Sequence, residues 1–364
     1  MSSYPVARID IAALQHNFER VKQLAPDSQV MSVIKADGYG HGAIKVARAL
    51  HKSDAFAVAR LSEGINLRAA GIQQAIVVLE GVTSITELQL AADNSLSLIF
   101  HHNSQLELIE KAQLSKPLKF CWVMLETGMH RLGLAVEDLD HALKILKTSP
   151  NISGDIGLMS HFSNADLVED LRNQQQLDTL MHCAEQYDLK TSIANSAAIL
   201  SFPASHNAWV RPGIMLYGGS PFEDKTASDL DLKPSMSLIS TLISIQQLEA
   251  GDQVGYGGTW SAKESCCVGI VKIGYGDGYS RHLSNVGTVV INNHRAKLVG
   301  RVSMDLIAID LSSLNNVAIG DEVIMWGSQL LTVDEVACSA NTISYELLCQ
   351  LGERVSKEYH YGQS

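Results

Sequence analysis

Residues 30–42 read VMSVIKADGYGHG: an apolar run that finishes on Lys35 and passes into three glycines spaced two apart. A near-continuous apolar run of this length suits a strand covered on both faces. Lys35 therefore closes a buried strand, and Tyr39 and His41 are held between Gly38, Gly40 and Gly42. A lysine in that position either snorkels to water or does chemistry. Seven similar runs follow: AFAVAR (55–60), AIVVLEG (75–81), LSLIFHH (96–102), FCWVMLETG (120–128), GDIGLMSHFS (154–163), KTSIANSA (190–197) and WVRPGIMLYG (209–218). Between them lie amphipathic stretches with helical period, such as VEDLDHALKILKTS (136–149) and EDLRNQQQLDTLMHCAEQYD (169–188). Eight strand–helix units predict an N-terminal (β/α)8 barrel of the TIM type, in preference to an open doubly wound sheet.

The rhythm changes near Lys233-Pro234. From SMSLISTLISIQQL (235–248) onward the segments are short, glycine-punctuated and strand-like, which predicts a C-terminal, mainly β domain. The stretch SYELLCQLGERVSKEY (344–359) reads as a closing helix. The boundary falls near residues 225–235, dividing the chain into 1–230 and 231–364.

Composition narrows the function classes. The formal net charge of −11 carries no basic run, against nucleic acid or anionic lipid as a partner. Six cysteines in 364 residues, with no Cys-x-x-Cys pair, do not make a disulfide framework. The N-terminus lacks the pattern of a secretory signal, and no apolar run reaches membrane-spanning length. The expectation is a soluble, cytoplasmic protein. His101-His102 has no partners at metal spacing, so no metal site is expected. Neither GYGHG nor GYGDG continues into the Gly-Lys-Ser/Thr of a nucleotide loop. Cys266 and Cys267 alternate across a strand as ordinary core and surface residues.

In a barrel, chemistry sits at the C-terminal ends of the strands. Those ends carry Lys35 and Tyr39, Arg131, His161, Asn195 and Ser196, then Arg211, Gly213 and Tyr217. A partly desolvated lysine with a lowered pKa forms a Schiff base with an aldehyde. Pyridoxal 5'-phosphate is such an aldehyde, and barrels often bind its phosphate with their late loops. Ser196 and the backbone at Gly213 and Ile214 are the candidate phosphate site. Arg211 is the candidate partner of the ring nitrogen, and His161 the candidate stacking plate.

The motifs VIKADGYGHG, ETGMHRLG, HFSNAD, NSAAILSFP…WVRPGIMLYG, VGYGGTW, IGYGDGYSR, VGRVSMDL and YELLCQLGERV together resemble alanine racemase, in order and over nearly the whole chain. The resemblance implies that Lys35 holds the cofactor as an internal aldimine and serves as one catalytic base, with Tyr256 the opposing base. It implies a homodimer in which that tyrosine reaches the cofactor of the other subunit. Tyr39, Ser196, Gly213, Ile214 and Tyr345 match phosphate-binding positions, Arg211 the arginine on the pyridine nitrogen, and His161 its ring neighbour. Arg131 and, from the partner chain, Met304 match the residues at the substrate carboxylate. Tyr275, Arg281 and Arg301 fall where the family builds its access corridor. The substrates implied are L-alanine and D-alanine, with D-alanine supplied to peptidoglycan.

Racemisation takes a proton from one face of Cα and returns one to the other, so one base per face is the simplest arrangement. Lysine and tyrosine side chains titrate near pH 10 unperturbed and need neighbouring cations, here Arg131 and Arg211, to act at neutral pH. Two departures stand out. The family usually has a carbamylated lysine seven residues before the arginine of GMHRLG, whereas this chain has Met124; the motif's usual aspartate is Glu126. No carbamylated lysine is expected, and Arg131 must be positioned by a bound anion, Asp305 or packing. Rival readings are a broader-specificity amino-acid racemase, a decarboxylase of the same plan, and a non-catalytic cofactor carrier. The β domain with Tyr256 argues against the last two.

Overall fold

A computed structural model describes residues 5–362. Its barrel is closed by eight parallel strands, and these coincide with the eight apolar runs: β2 (Gln29–Val33), β3 (Ala55–Val58), β4 (Ala75–Val78), β5 (Ser97–Phe100), β6 (Leu118–Met124), β7 (Ile152–Met159), β8 (Thr191–Ser192) and β9 (Trp209–Val210), with β9 pairing back onto β2. Most of their residues are buried because helices cover the outer face and side chains fill the lumen, the first half of β7 being the main exception. The last two strands are two residues long. After Val210 the chain leaves the barrel for a 3-10 turn, Ile214–Tyr217, instead of continuing as the strand its apolar residues predict.

A second sheet of eight strands is the core of the mainly β domain: β1 (Val6–Asp10), β10 (Met236–Leu248), β13 (Cys266–Val271), β14 (Thr288–Ile291), β15 (His294–Lys297), β16 (Ile307–Asp310), β17 (Glu322–Trp326) and β18 (Ser356–His360). Strands β11 (Gln253–Val254) and β12 (Trp260–Ser261) form a separate ribbon. The 13-residue β10 pairs with β1 and β17 along its first half and with β13 along its second, and register shifts after Leu238 and after Leu242 let it serve both.

Two expectations are corrected. The N-terminal strand β1, assigned by sequence to the barrel, pairs antiparallel with β10 and parallel with β18, so residues 6–10 belong to the second sheet. The closing segment is helical only over Ser344–Cys349. Gly352 interrupts it with a backbone N–H to the Asp277 carbonyl, and Ser356–His360 is a strand paired along β1.

The helix Ile11–Leu24 joins the two parts. Its fully buried Asn17 donates to the carbonyls of Leu216 and Lys233 and accepts the Lys233 N–H, and these bonds fix the chain where the barrel ends. All six cysteines are unpaired. Among the described residues, no helix is long and apolar enough to cross a membrane.

Candidate active site

Lys35 follows β2 by two residues and opens a left-handed turn: Ala36, Asp37, Gly38 and Tyr39 all have φ between 51° and 63°. Left-handed backbone costs non-glycine residues about 1–2 kcal/mol each, so three of the four need outside support. The Glu63 carboxylate accepts the Ala36 N–H (2.7 Å). Asp37 accepts the Ala43 N–H (2.8 Å) and pairs with Lys357 (2.5 Å). The Tyr39 ring stacks on Tyr217 with centroids 4.6 Å apart. The glycines answer the question the motif raises. At Gly40, φ is +78° and a Cβ would lie 2.1 Å from the Leu348 carbonyl oxygen, so only glycine lets the turn lie against the helix 344–349. His41 is not a site residue: it is fully buried, donates from Nδ1 to the Tyr39 carbonyl, and burial lowers its pKa to about 4.

Lys35 opens into a cavity of about 870 Å³ between the C-terminal ends of the barrel strands and the helix 344–349. Lys35, Tyr39, Arg131, His161, Asn195, Ser196, Arg211, Gly213, Ile214 and Tyr345 all line it, as do Met124 and Glu126. Burial first, and then the Arg131 guanidinium, lower the pKa of Lys35; Glu63 and Glu80 oppose that shift without reversing it.

On one side of the cavity Arg211, 4% exposed, donates to Ser192 Oγ (2.7 Å), to the Ser160 carbonyl (2.6 Å) and to His161 Nδ1 (3.1 Å). Burial lowers its pKa to about 9, which leaves it charged at neutral pH. Guanidinium has donors and no acceptor, so Nδ1 of His161 accepts and the ring proton sits on Nε2. Burial, then Arg211 and Arg131, hold His161 well below the ordinary histidine value, and it is neutral. On the other side, Asn195 caps the helix Ser196–Ser201 by accepting the Ala198 N–H. Ser196 Oγ accepts the Gly213 N–H (2.8 Å), which leaves its own proton free to donate. A Cβ at Gly213 would stand 2.8 Å from Tyr39 Oη, so glycine keeps that floor open. Among the described residues, the Tyr39 and Tyr345 hydroxyls have no hydrogen-bond partner. Free hydroxyls and backbone N–H groups around a glycine floor, opposite a lysine of lowered pKa, fit a phosphorylated aldehyde.

Within its own chain Asp305 pairs with Arg354 (2.7 Å) and makes no contact with Arg131 among the described residues. The Arg131 loop folds around Glu126 instead. That carboxylate accepts the Gly128 N–H, and the His130 and Arg131 backbone beside it joins that bond in lowering its pKa against the opposing effect of burial. Lys35 is the one lysine on the cavity wall among the described residues; Met124 occupies the expected lysine position.

Tyr256 and Met304 are not brought to this cavity by their own chain. Tyr256 lies in the turn Tyr256–Gly258 of the β domain, 72% exposed, and Met304 is 53% exposed. Arg301 stands beside that turn, its guanidinium 2.9 Å from where a Gly257 Cβ would be. Tyr275 and Arg281 line a separate cavity of about 530 Å³. Cys266 and Cys267 are both half-buried.

Sequence reasoning missed two supports. Glu63, besides Ala36, accepts the N–H groups of Ala59 and Arg60 and so ties the β3 end to the Lys35 turn. Its signal was a glutamate three residues into a helix. Gln176, 2% exposed, joins the His161 and Arg131 loops by donating to the His161 carbonyl (3.0 Å) and Thr127 Oγ1 (3.2 Å) and accepting the Ser163 N–H (3.0 Å). A glutamine on the apolar stripe of a helix was the available signal.

Residues 9–221 match the family described as "Alanine racemase, N-terminal domain", and residues 235–359 match "Alanine racemase, C-terminal domain". An alanine racemase of Nitrosococcus oceani is 47% identical over 355 residues, covering 98% of this chain and 99% of its own. One from Vibrio parahaemolyticus is 43% identical over 353 residues, 97% of this chain and 98% of its own. Among solved structures, the biosynthetic alanine racemase of Pseudomonas aeruginosa superposes with a TM-score of 0.93 at 41% identity, covering 99% of this chain and 100% of its own. Barrel, β domain and cavity thus stand on a chain that belongs to the alanine racemase family of isomerases.

Proposed function

We propose that this chain interconverts L-alanine and D-alanine, with pyridoxal 5'-phosphate bound at Lys35, as a homodimer whose sites are each built from both subunits. The observation that carries this reading is the lysine of lowered pKa facing a charged arginine and a neutral histidine across one cavity. When bound, the cofactor makes the Cα proton of an amino acid acidic by delocalising its electrons.

The chain's own residues have separable tasks. Ser196, Tyr39, Tyr345 and the N–H groups near Gly213 and Ile214 hold the phosphate, and Asn195 fixes the helix that presents Ser196. His161 covers the ring, and Arg211 donates to its nitrogen without surrendering a proton. Arg131 receives the substrate carboxylate. Lys35, its pKa lowered by burial and Arg131, holds or releases a proton on one face. Tyr256 from the second subunit does the same on the other, with Met304 beside it.

A second subunit accounts for an otherwise unexplained surface. Tyr256, Tyr275, Met304 and Leu306 are 72%, 44%, 53% and 38% exposed. Backbone bonds from Tyr275 to Ser303 and from Ser303 to Leu306 join three of them on neighbouring loops. Apolar residues grouped outside a core in this way mark an interaction surface. A soluble cytoplasmic dimer supplying D-alanine to peptidoglycan is the cellular role this reading implies.

The test is ¹H NMR of cofactor-loaded protein with L-alanine in D2O, followed by chiral separation. Loss of the Cα proton with D-alanine appearing, and little of either with serine or lysine as substrate, is the expected result. Exchange without D-product would remove Tyr256 as the opposing base, and no exchange would remove the racemase reading.

A further inference from the structure

Two loops of the β domain, residues 274–279 and 301–306, carry Tyr275 and Met304. The Tyr275 N–H donates to the Ser303 carbonyl (3.0 Å) and the Gly276 N–H to the Met304 carbonyl (2.8 Å). A third segment locks them. Arg354 donates from Nε to Asp277 (2.6 Å) on the first loop, and from Nη2 to Asp305 (2.7 Å) and the Met304 carbonyl (3.2 Å) on the second. Asp277 is 3% exposed, and its other oxygen accepts the Gly274 N–H (2.8 Å). Gly276 leaves room for the arginine, since a Cβ there would lie 2.5 Å from its Nη2. One planar guanidinium thus joins both loops at three points, a geometry the flexible, single-centred lysine ammonium does not reproduce.

Arg354 follows the helix Ser344–Cys349, whose Tyr345 and Cys349 line the chain's own cavity, yet none of its side-chain bonds goes to that helix or cavity. They all go to the loops that turn Met304 and Tyr275 outward. Resting on the composite-dimer reading above, we propose that Arg354 is a positioning residue acting in trans: it fixes the Met304 backbone so that this side chain meets the substrate in the other subunit's site.

The test uses hybrid dimers, made from two differently tagged, co-expressed chains and loaded with cofactor. A misplacement of about 1 Å costs on the order of 100-fold, so the Arg354→Ala homodimer loses about 10- to 100-fold in kcat/KM. The loss is equal in both directions because enantiomers have equal free energies. In a hybrid of a Lys35→Ala chain with an Arg354→Ala chain, the one site that keeps its lysine receives its loops from the chain with intact Arg354. That hybrid is expected to show half the wild-type activity per dimer. A hybrid as slow as the Arg354→Ala homodimer would mean that the arginine serves its own chain's site, and would overturn the proposal; so would a fully active Arg354→Ala homodimer.

The Lys35→Ala hybrid with Tyr256→Phe separates the two claims. Recovery of activity there, without recovery in the Arg354 hybrid, rejects the brace alone. No recovery rejects composite sites and the brace together. Should Arg354→Ala not assemble, Arg354→Lys and Asp305→Asn go through the same hybrids with the same criteria.

Discussion

Replacing Gly40 by alanine tests whether the left-handed turn and the helix 344–349 form one unit behind the cavity. A Cβ at Gly40 would meet the Leu348 oxygen at 2.1 Å, and such contacts are essentially never under 3.0 Å, so backbone must separate by about 1 Å at this point. Neither partner is a side-chain tip that could swing away. The cost has two parts: about 1–2 kcal/mol for alanine at φ +78°, and about 1–3 kcal/mol for forced overpacking. Gly71→Ala isolates the first, because Gly71 has φ +84° and open space within 4 Å of its Cβ position. Urea unfolding of both variants at one protein concentration, with cofactor in excess, should place Gly40→Ala below Gly71→Ala by about 1–3 kcal/mol. Activity should fall only in Gly40→Ala, since the displaced helix carries Tyr345 and Cys349 on the cavity wall. Equal stabilities with full activity in both would show that the contact is not structural and that the turn does not set the cavity.

Other variants probe single links. Burial keeps His41 neutral down to about pH 4 while the unfolded histidine takes up a proton near pH 6.5. Its contribution to stability therefore falls as pH drops through that window, by about 2 kcal/mol between pH 7 and 5; urea unfolding at the two pH values should show a smaller difference for His41→Gln. Arg131→Gln removes a cation that disfavours protonated Lys35, so the pKa of the lysine rises. The acidic limb of the pH–rate profile should move to higher pH, and an unmoved limb would disconnect the two groups. Glu126→Gln halves the acceptor capacity that gathers the Arg131 loop. It should raise KM for alanine while leaving cofactor binding unchanged, measured by steady-state kinetics and cofactor titration.

The barrel was legible because strands buried on both faces must be almost wholly apolar, and eight such runs stand out against amphipathic helices. Its late end was less so: WVRPGIMLYG is apolar apart from Arg211, but only Trp209–Val210 pair, because the following residues form the floor beside Ser196. The strand Ser356–His360 could not be read, since SKEYH has no apolar face and is held in place by pairing along β1, a partner some 350 residues away. The side chains lining the cavity were readable as reactive types at strand ends. What holds them was not. The turn after Lys35 runs left-handed through three residues that are not glycine, because Glu63, Lys357 and Tyr217 are brought to it from distant segments. Arg131 differs in that its loop is held locally: sequence offered Met124 as a gap to be filled by another charge, and the loop instead folds back on Glu126 two to five residues away. Strand-end position announces chemistry within a few residues, whereas support comes through contacts whose sequence separation is set only by the finished fold.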